Sequence, residues 1–201
     1  VDLGSFSQAV AQVTLNGGVI QNGSLLSNGG FLIQQGDVDA VLGGAGALVK
    51  IGAGTLTLRQ SNLYSGGTTL NGGILTITSS ERLANSGSLT VDGGTFDLGG
   101  FTESVGLLTV RSGQILNGTL LASAFNIERG VVSTSFSGFG RLFKTTDALA
   151  ELTGQSTYTG GTELVAGTLL LGGDNRLPVA GEVLVRSGRR HREWDARGKR
   201  I

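Results

Sequence analysis

The chain has 201 residues with 36 glycines, one proline, no cysteine, no methionine and a single histidine, which excludes disulfides, thiol chemistry, cysteine-held metal and nearly every imidazole-dependent site. Its 15 basic and 15 acidic side chains cancel, but Arg189, Arg190, Arg192, Arg197, Lys199 and Arg200 crowd after Gly188 against only Glu193 and Asp195, so residues 1–188 are mildly acidic and poorly suited to a nucleic-acid backbone. A hydrophobic share of 39%, with glycine enriched and proline scarce, fits a packed scaffold better than collagen or a linker.

Beginning at Val1-Asp2-Leu3 without methionine, the sequence reads as a processed chain or an excised segment. No basic-then-apolar leader opens it, and its longest nearly continuous apolar stretch, 41–49, is half Gly and Ala and far short of the ~18 residues of a membrane helix. Asn16-Gly17, Asn22-Gly23, Asn71-Gly72 and Asn117-Gly118 predict sharp corners with positive φ. Between corners, short runs of β-formers follow a glycine: Thr55-Leu56-Thr57-Leu58 after Gly54, Ile74-Leu75-Thr76-Ile77 after Gly73, Thr95-Phe96-Asp97-Leu98 after Gly94 and Gln114-Ile115-Leu116 after Gly113. Together with 88–91 and 107–110, these give two or three strands per ~20-residue unit, with apolar and polar residues alternating. No segment carries a capped helical stripe; 81–84 and 120–126 are at most short turns of helix.

A longer repeat encloses the short one. Tyr64-Ser65-Gly66-Gly67-Thr68 returns as Tyr158-Thr159-Gly160-Gly161-Thr162, and the same offset holds without a gap for 44–94 against 138–188. Lys50 meets Lys144, Leu58 meets Leu152, and Arg82-Leu83 meets Arg176-Leu177. Constant spacing over that length means that every turn keeps its length, as stacked rungs require. The pattern predicts an all-β chain folded as a right-handed parallel β-helix of about 20 residues per coil, with an antiparallel sandwich or barrel as the alternative. About nine coils at ~4.8 Å would form a rod on the order of 40 to 45 Å long.

In chain order, Gly46, Leu48, Lys50, Gly52, Gly54, Leu56, Leu58, then Tyr64, Gly66, Gly67, Thr68, Leu70, and then Gly73 and Leu75 closely resemble the autotransporter-associated β-strand repeat, also called the passenger-associated transport repeat, of bacterial type V secretion. The second copy keeps Gly140, Leu142, Lys144, Leu152, Tyr158, Gly160, Gly161, Thr162, Leu164, Gly167 and Leu169, but puts Thr146-Asp147-Ala148 where the first has Gly52-Ala53-Gly54. The resemblance implies a passenger β-helix exported across the outer membrane by a C-terminal β-barrel translocator outside this sequence, and displayed on or released from the cell surface. Freedom from cysteine agrees with threading through a pore. The resemblance stops at Arg189; residues 189–201 read as a disordered or artefactual tail, with a linker or a basic interaction tail as alternatives.

Candidate chemistry is thin, and no catalytic residue, cofactor or metal is expected. Asp37 with Asp39, and Asp92 with Asp97, are the nearest to paired carboxylates; a solvated strand face explains them better. The stretch Gly43-Gly44-Ala45-Gly46 lacks the Gly-Lys-Ser/Thr end of a phosphate loop, and Gly93-Gly94-Thr95-Phe96-Asp97 and Gly172-Gly173-Asp174 supply only parts of a calcium nonapeptide. Thr55/Thr57 and Thr76/Thr78 hint at a flat hydroxyl array that breaks at Thr95/Asp97. Tyr64 and Tyr158 read as turn-packing side chains rather than sugar platforms, and Asn22-Gly23-Ser24 and Asn117-Gly118-Thr119 read as turns despite fitting a glycosylation pattern. The expected function is a non-catalytic stalk of a surface-displayed or secreted passenger, neither inserted in a membrane nor bound to nucleic acid. The alternatives are a direct adhesin that binds host glycans, matrix or its own copies and, more remotely, a polysaccharide-active enzyme.

Overall fold

The computed structural model describes residues 1–186; the basic segment 189–201, with His191 and Trp194, lies outside them. The described residues form strands and turns without a helix, and every strand pairing is parallel. The chain winds into a β-solenoid of about 9 turns, roughly 19 residues per turn, as the glycine spacing predicted, and the antiparallel alternative falls away.

Three stacked columns of backbone form the sides. The first runs without interruption from Val13–Leu15 through Phe31–Ile33, Leu48–Lys50 and Thr68–Leu70 to Thr162–Leu164 and Val183–Val185. The second includes Thr55–Leu58, Ile74–Ile77, Gly130–Val132, Leu149–Leu152 and Thr168–Leu171. The third is broken. It has strands at Ser7–Val10 and its partners in 24–27 and 41–43, and again at Thr102–Val105, Thr119–Ala122 and Ser135–Ser137. At 59–67, 78–88, 153–161 and 172–182 it has none.

Alternation along each strand sends every second residue inward, so the interior is a set of vertical stripes. One stripe reads Phe31, Leu48, Thr68, Leu89, Leu108, Phe125, Leu142, Thr162; its neighbour reads Ile33, Lys50, Leu70, Val91, Val110, Ile127, Lys144, Leu164. Residues 120–126 differ from expectation: they belong to the strands Thr119–Ala122 and Ala124–Ile127. Each alternates in burial with Ser123 at the corner between them, so a run rich in Leu and Ala is here two strands at an angle. The Thr array is also shorter than its spacing suggested. Thr57 stacks on Thr76 and Asp97 follows, whereas Thr55 stacks on Ile74.

Glycine is required at most levels of one corner, Gly54 and Ala148 being levels without a positive φ. Gly36, Gly73, Gly94, Gly113 and Gly130 all have positive φ, and a Cβ on Gly94 or Gly113 would lie 2.5 Å from the carbonyl oxygen of the glycine one coil below. The corner therefore needs both a left-handed backbone and no side chain. Of the four predicted Asn-Gly corners, Asn22 and Asn117 carry the positive φ themselves, while at 16–18 and 71–73 it falls on Gly18 and Gly73.

Candidate functional site

The residues of the two repeat copies assemble into two equivalent modules on the same sides of the solenoid, separated by intervening coils. In each, the inward residues are Leu48, Leu56, Leu58, Leu70 and Leu75, or Leu142, Leu152, Leu164 and Leu169. The glycines Gly46, Gly52, Gly54, Gly66, Gly67 and Gly73, or Gly140, Gly160, Gly161 and Gly167, form the turns. A Cβ on Gly66 would lie 2.5 Å from the Ala47 amide nitrogen, and one on Gly160 would lie 2.6 Å from that of Arg141, so the loops cross the underlying coil at backbone distance.

The polar residues of the motif are buried. Lys50 is 0% exposed, yet its strand position makes it an inward residue between Ile33 and Leu70. Its Nζ donates to the carbonyls of Ile51 (2.7 Å), Gly52 (3.1 Å) and, one coil on, Gly72 (3.1 Å). Lys144 repeats the arrangement: Nζ donates to the Thr146 carbonyl, to Thr146 Oγ1 (3.2 Å) and to the Ala166 carbonyl (3.4 Å). Each ammonium thus ties its own corner to the next. Burial lowers the pKa of both lysines, opposed at Lys144 by Asp147 and Glu128. The weaker second copy keeps this device because Thr146 Oγ1, besides accepting from Lys144, donates to the Glu128 carbonyl at 2.7 Å. Ala148 is tolerated because its counterpart Gly54 does not need a positive φ.

Tyr64 and Tyr158 are buried as turn-packing side chains. Their hydroxyls share hydrogen bonds of 2.6 Å with Thr68 Oγ1 and Thr162 Oγ1, which gives the inward threonines their partners. Burial first, then in Tyr64 the nearby Glu103, raises the pKa of both phenols despite the threonine bonds. Phe31 lies against Tyr64 at 6.2 Å between ring centroids and Phe125 against Tyr158 at 5.7 Å, another pair related by the long repeat.

Where the third side lacks strands, side chains substitute for the ladder. Asn62 Oδ1 accepts from the Leu42 amide (2.8 Å), and its Nδ2 donates to the carbonyls of Gln60 (3.0 Å) and Arg82 (2.7 Å). Ser156 Oγ accepts from the Phe136 amide at 3.3 Å in the same place of the second copy. Above the first copy, buried Glu103 accepts from the amides of Arg82 (2.9 Å) and Leu83 (2.7 Å). Burial pushes its pKa up to about 7 against those amide bonds.

Two grooves open on this side. The first, of about 420 Å³, is lined by Ser61, Asn62, Leu63, Tyr64, Glu81, Ala84, Asn85 and Ser86. The second, of about 490 Å³, includes Gln155, Ser156, Thr157, Tyr158, Asn175, Pro178, Val179 and Ala180, which are the same eight positions one long repeat later. Glu81 and Asn175 hold equivalent left-handed conformations at the lips, with φ of 56° and 55°.

The acidic pairs are engaged in local bonds on the outer surface. Asp37 pairs with Arg59 and Asp39 accepts from Gln60, both at 2.8 Å. Asp97 accepts from the Gly99 amide (2.9 Å) and Asn117 (3.0 Å), and Asp92 lies 3.8 Å from Arg111. Among the described residues no three His, Cys, Asp or Glu side chains converge as metal ligands, and no helix is long and apolar enough to cross a membrane. Lys50 and Lys144 belong to the motif read from the sequence, but their burial and carbonyl bonding, like the roles of Asn62 and Glu103, were not read there. The available signal for the lysines was their phase, two residues after an inward leucine in both copies.

The passenger-associated-transport-repeat family matches residues 48–77 and 151–171, the parts of the two modules that hold the strand-and-glycine motifs. A curated relative, the Adhesin BmaC autotransporter of Brucella suis biovar 1 (strain 1330), is 35% identical over 167 residues, or 76% of this chain. The chain spans 5% of that relative's length. No solved structure matches. With its repeats, relative and parallel coils in agreement, the chain is an autotransporter passenger-type β-solenoid built in part from passenger-associated transport repeats.

Proposed function

We propose that this chain is a non-catalytic stalk segment of a surface-displayed or secreted bacterial adhesin, exported across the outer membrane with the help of a C-terminal β-barrel elsewhere in the whole protein. The uninterrupted first ladder from Val13 to Val185 carries the reading. Along this ladder each coil bonds its backbone to the coil before it, so the chain can fold rung by rung as it emerges. The relative's name, an adhesin autotransporter many times longer than this chain, supports a segment whose task is extension.

Deletion within the full-length protein tests this. Removing 44–137 puts Gly138 where Gly44 stood and keeps every ladder in register. Removing 48–57 removes half a coil and breaks it. The first deletion is expected to preserve antibody labelling on intact cells and the second to reduce it strongly. If the first kept display but abolished binding to host cells, the segment would be the adhesive part itself. That second reading draws support from the two grooves.

A further inference from the structure

The long repeat reaches beyond the two motif copies to nearly all of residues 2–186. Asp2-Leu3-Gly4 returns as Asp97-Leu98-Gly99, and Asn22-Gly23 as Asn117-Gly118. The two corners are built alike. Asp2 accepts from the Gly4 amide (2.9 Å) and from Asn22 (2.8 Å), as Asp97 does from Gly99 and Asn117, and Gly4 and Gly99 share a φ of 60°. The pairing matches as well: Ser7–Val10 on 24–27 corresponds to Thr102–Val105 on Thr119–Ala122, and Val13–Leu15 on Phe31–Ile33 to Leu108–Val110 on 125–127. The copies differ in length only at the corner 28–30, which 123–124 answers. The described chain is thus two modules in tandem, joined where Leu108–Val110 stack on Leu89–Val91 and Phe96 stacks on Leu75.

This internal junction shows what fits the two open ends. At the start of the first module, Leu3, Val13 and Leu15 hold the places of Leu98, Leu108 and Val110; at the finish of the second, Leu171, Val183 and Val185 hold those of Ile77, Leu89 and Val91. The six residues at the internal junction are at most 3% exposed, whereas Leu171, Val183 and Val185 are 41%, 52% and 64% exposed. We propose that a second copy of the chain docks head to tail in the register of the internal junction, with its Val13–Leu15 stacked on Val183–Val185 and its Leu3 over Leu171. The surface is continuous with an interface the chain already makes within itself, and burying such apolar side chains drives the contact. The third side adds selectivity. At the internal junction the amides of Arg82 and Leu83 donate to Glu103, and Leu89 donates to the Leu107 carbonyl at 2.8 Å. Their counterparts at the finish are the amides of Arg176, Leu177 and Val183, and those of Arg176 and Leu177 have no acceptor among the described residues. The counterpart of Glu103 is Gln8, which lines the hollow at the start. Its side-chain carbonyl has two lone pairs for two amides and enters the interface uncharged. In the sequence, Arg190 and Arg192 follow Phe96 and Leu98 by one long repeat, so the apolar side chains for those places come from the second copy.

Cysteine pairs read the register, since the chain has no cysteine of its own. Thr14 and Leu184 are outward residues of the first column; in the docked pair they face each other at the strand spacing of about 4.8 Å, within reach of a disulfide. The 201-residue chain carrying Thr14→Cys is mixed with one carrying Leu184→Cys and oxidised, beside a mixture of Thr14→Cys with Leu170→Cys, which the same register keeps on different sides of the solenoid. Covalent dimers are expected from the first mixture and few from the second. In sedimentation, Gln8→Ala is expected to weaken association roughly fivefold to tenfold, the effect of stranding amide donors. Val185→Asp, exposed in the single chain, is expected to abolish association while the circular-dichroism melt stays unchanged. Equal cross-linking in both mixtures would overturn the proposal, as would a chain that stays monomeric at millimolar concentration. Full association by the folded Val185→Asp chain would place the contact on another surface and overturn it too.

Discussion

A lysine in an apolar stripe is stable only while its three donors are occupied. Lys50 meets that condition with three carbonyls on two successive corners, so a residue that costs desolvation becomes a tie between coils. Lys50→Met keeps the stem and removes the donors. It is expected to destabilise the chain by about 2 kcal/mol, the scale of stranding buried acceptors, as read by urea unfolding; an unchanged midpoint would mean that the carbonyls find other partners. Asn62→Ser tests the neighbouring substitution. Ser156 occupies that place in the second copy, so serine is expected to cost less than about 1 kcal/mol and leucine about 2, because leucine strands the Leu42 amide. Glu103 makes stability depend on pH. Its folded pKa of about 7 lies above the ordinary 4.5, so the folded chain holds the proton more tightly. The resulting stabilisation is full below the ordinary carboxylate range and is lost as pH rises through 7. Relative to Glu103→Gln, the parent is expected to lose about 2 to 3 kcal/mol between pH 5 and pH 8. Parallel pH profiles for the two proteins would refute the assignment.

At the level of elements, corners and strands make different demands on sequence. Gly94→Ala meets both a φ of 71° and a carbonyl at 2.5 Å, whereas Gly100→Ala meets a φ of 90° with nothing within 4 Å. Thermal unfolding is expected to show a loss of about 3 kcal/mol or more for the first and about 1 for the second; equal losses would mean that backbone conformation alone makes the corner need glycine. This difference also explains what the sequence made legible. The corner glycines and the strands at 55–58 and 74–77 announce themselves because a solenoid corner admits almost no alternative to glycine and a strand repeats every second residue. The segment 120–126 does not, because Leu, Ala and Ser suit several conformations and only the coil beneath makes it two strands. Lys50 and Lys144 were assigned to the motif without a role. Their phase points inward, but burial of an ammonium becomes intelligible only when the carbonyls of the following corner are seen to converge on it. The grooves were invisible for a related reason. They are defined by hydrogen bonds that the third side does not make, and no local pattern encodes that gap.

Across the whole molecule, stacking gives the chain strength along its axis and leaves it reactive at its ends. Inner coils are bonded above and below, but the first coil is bonded on one edge only. The strand Ser7–Val10 is exposed throughout, and beside it Val1, Leu3, Val10, Val13, Leu15 and Ile20 line an open apolar hollow at the start of the core. By alternation, Val13 donates inward to the Gly30 carbonyl at 3.0 Å, while the amide of Thr14 faces away from the coil. Such an edge is a template for another chain of the same kind. The 201-residue chain alone is therefore expected to associate end to end as its concentration rises, with sedimentation coefficients that increase without a fixed stoichiometry. Thr14→Pro removes the outward donor at a position where the sheet loses no bond and is expected to weaken this association while leaving the strand content unchanged. Sedimentation as a monomer at every concentration would show that the open hollow is closed by the chain itself. Association unaffected by Thr14→Pro would assign it to another surface.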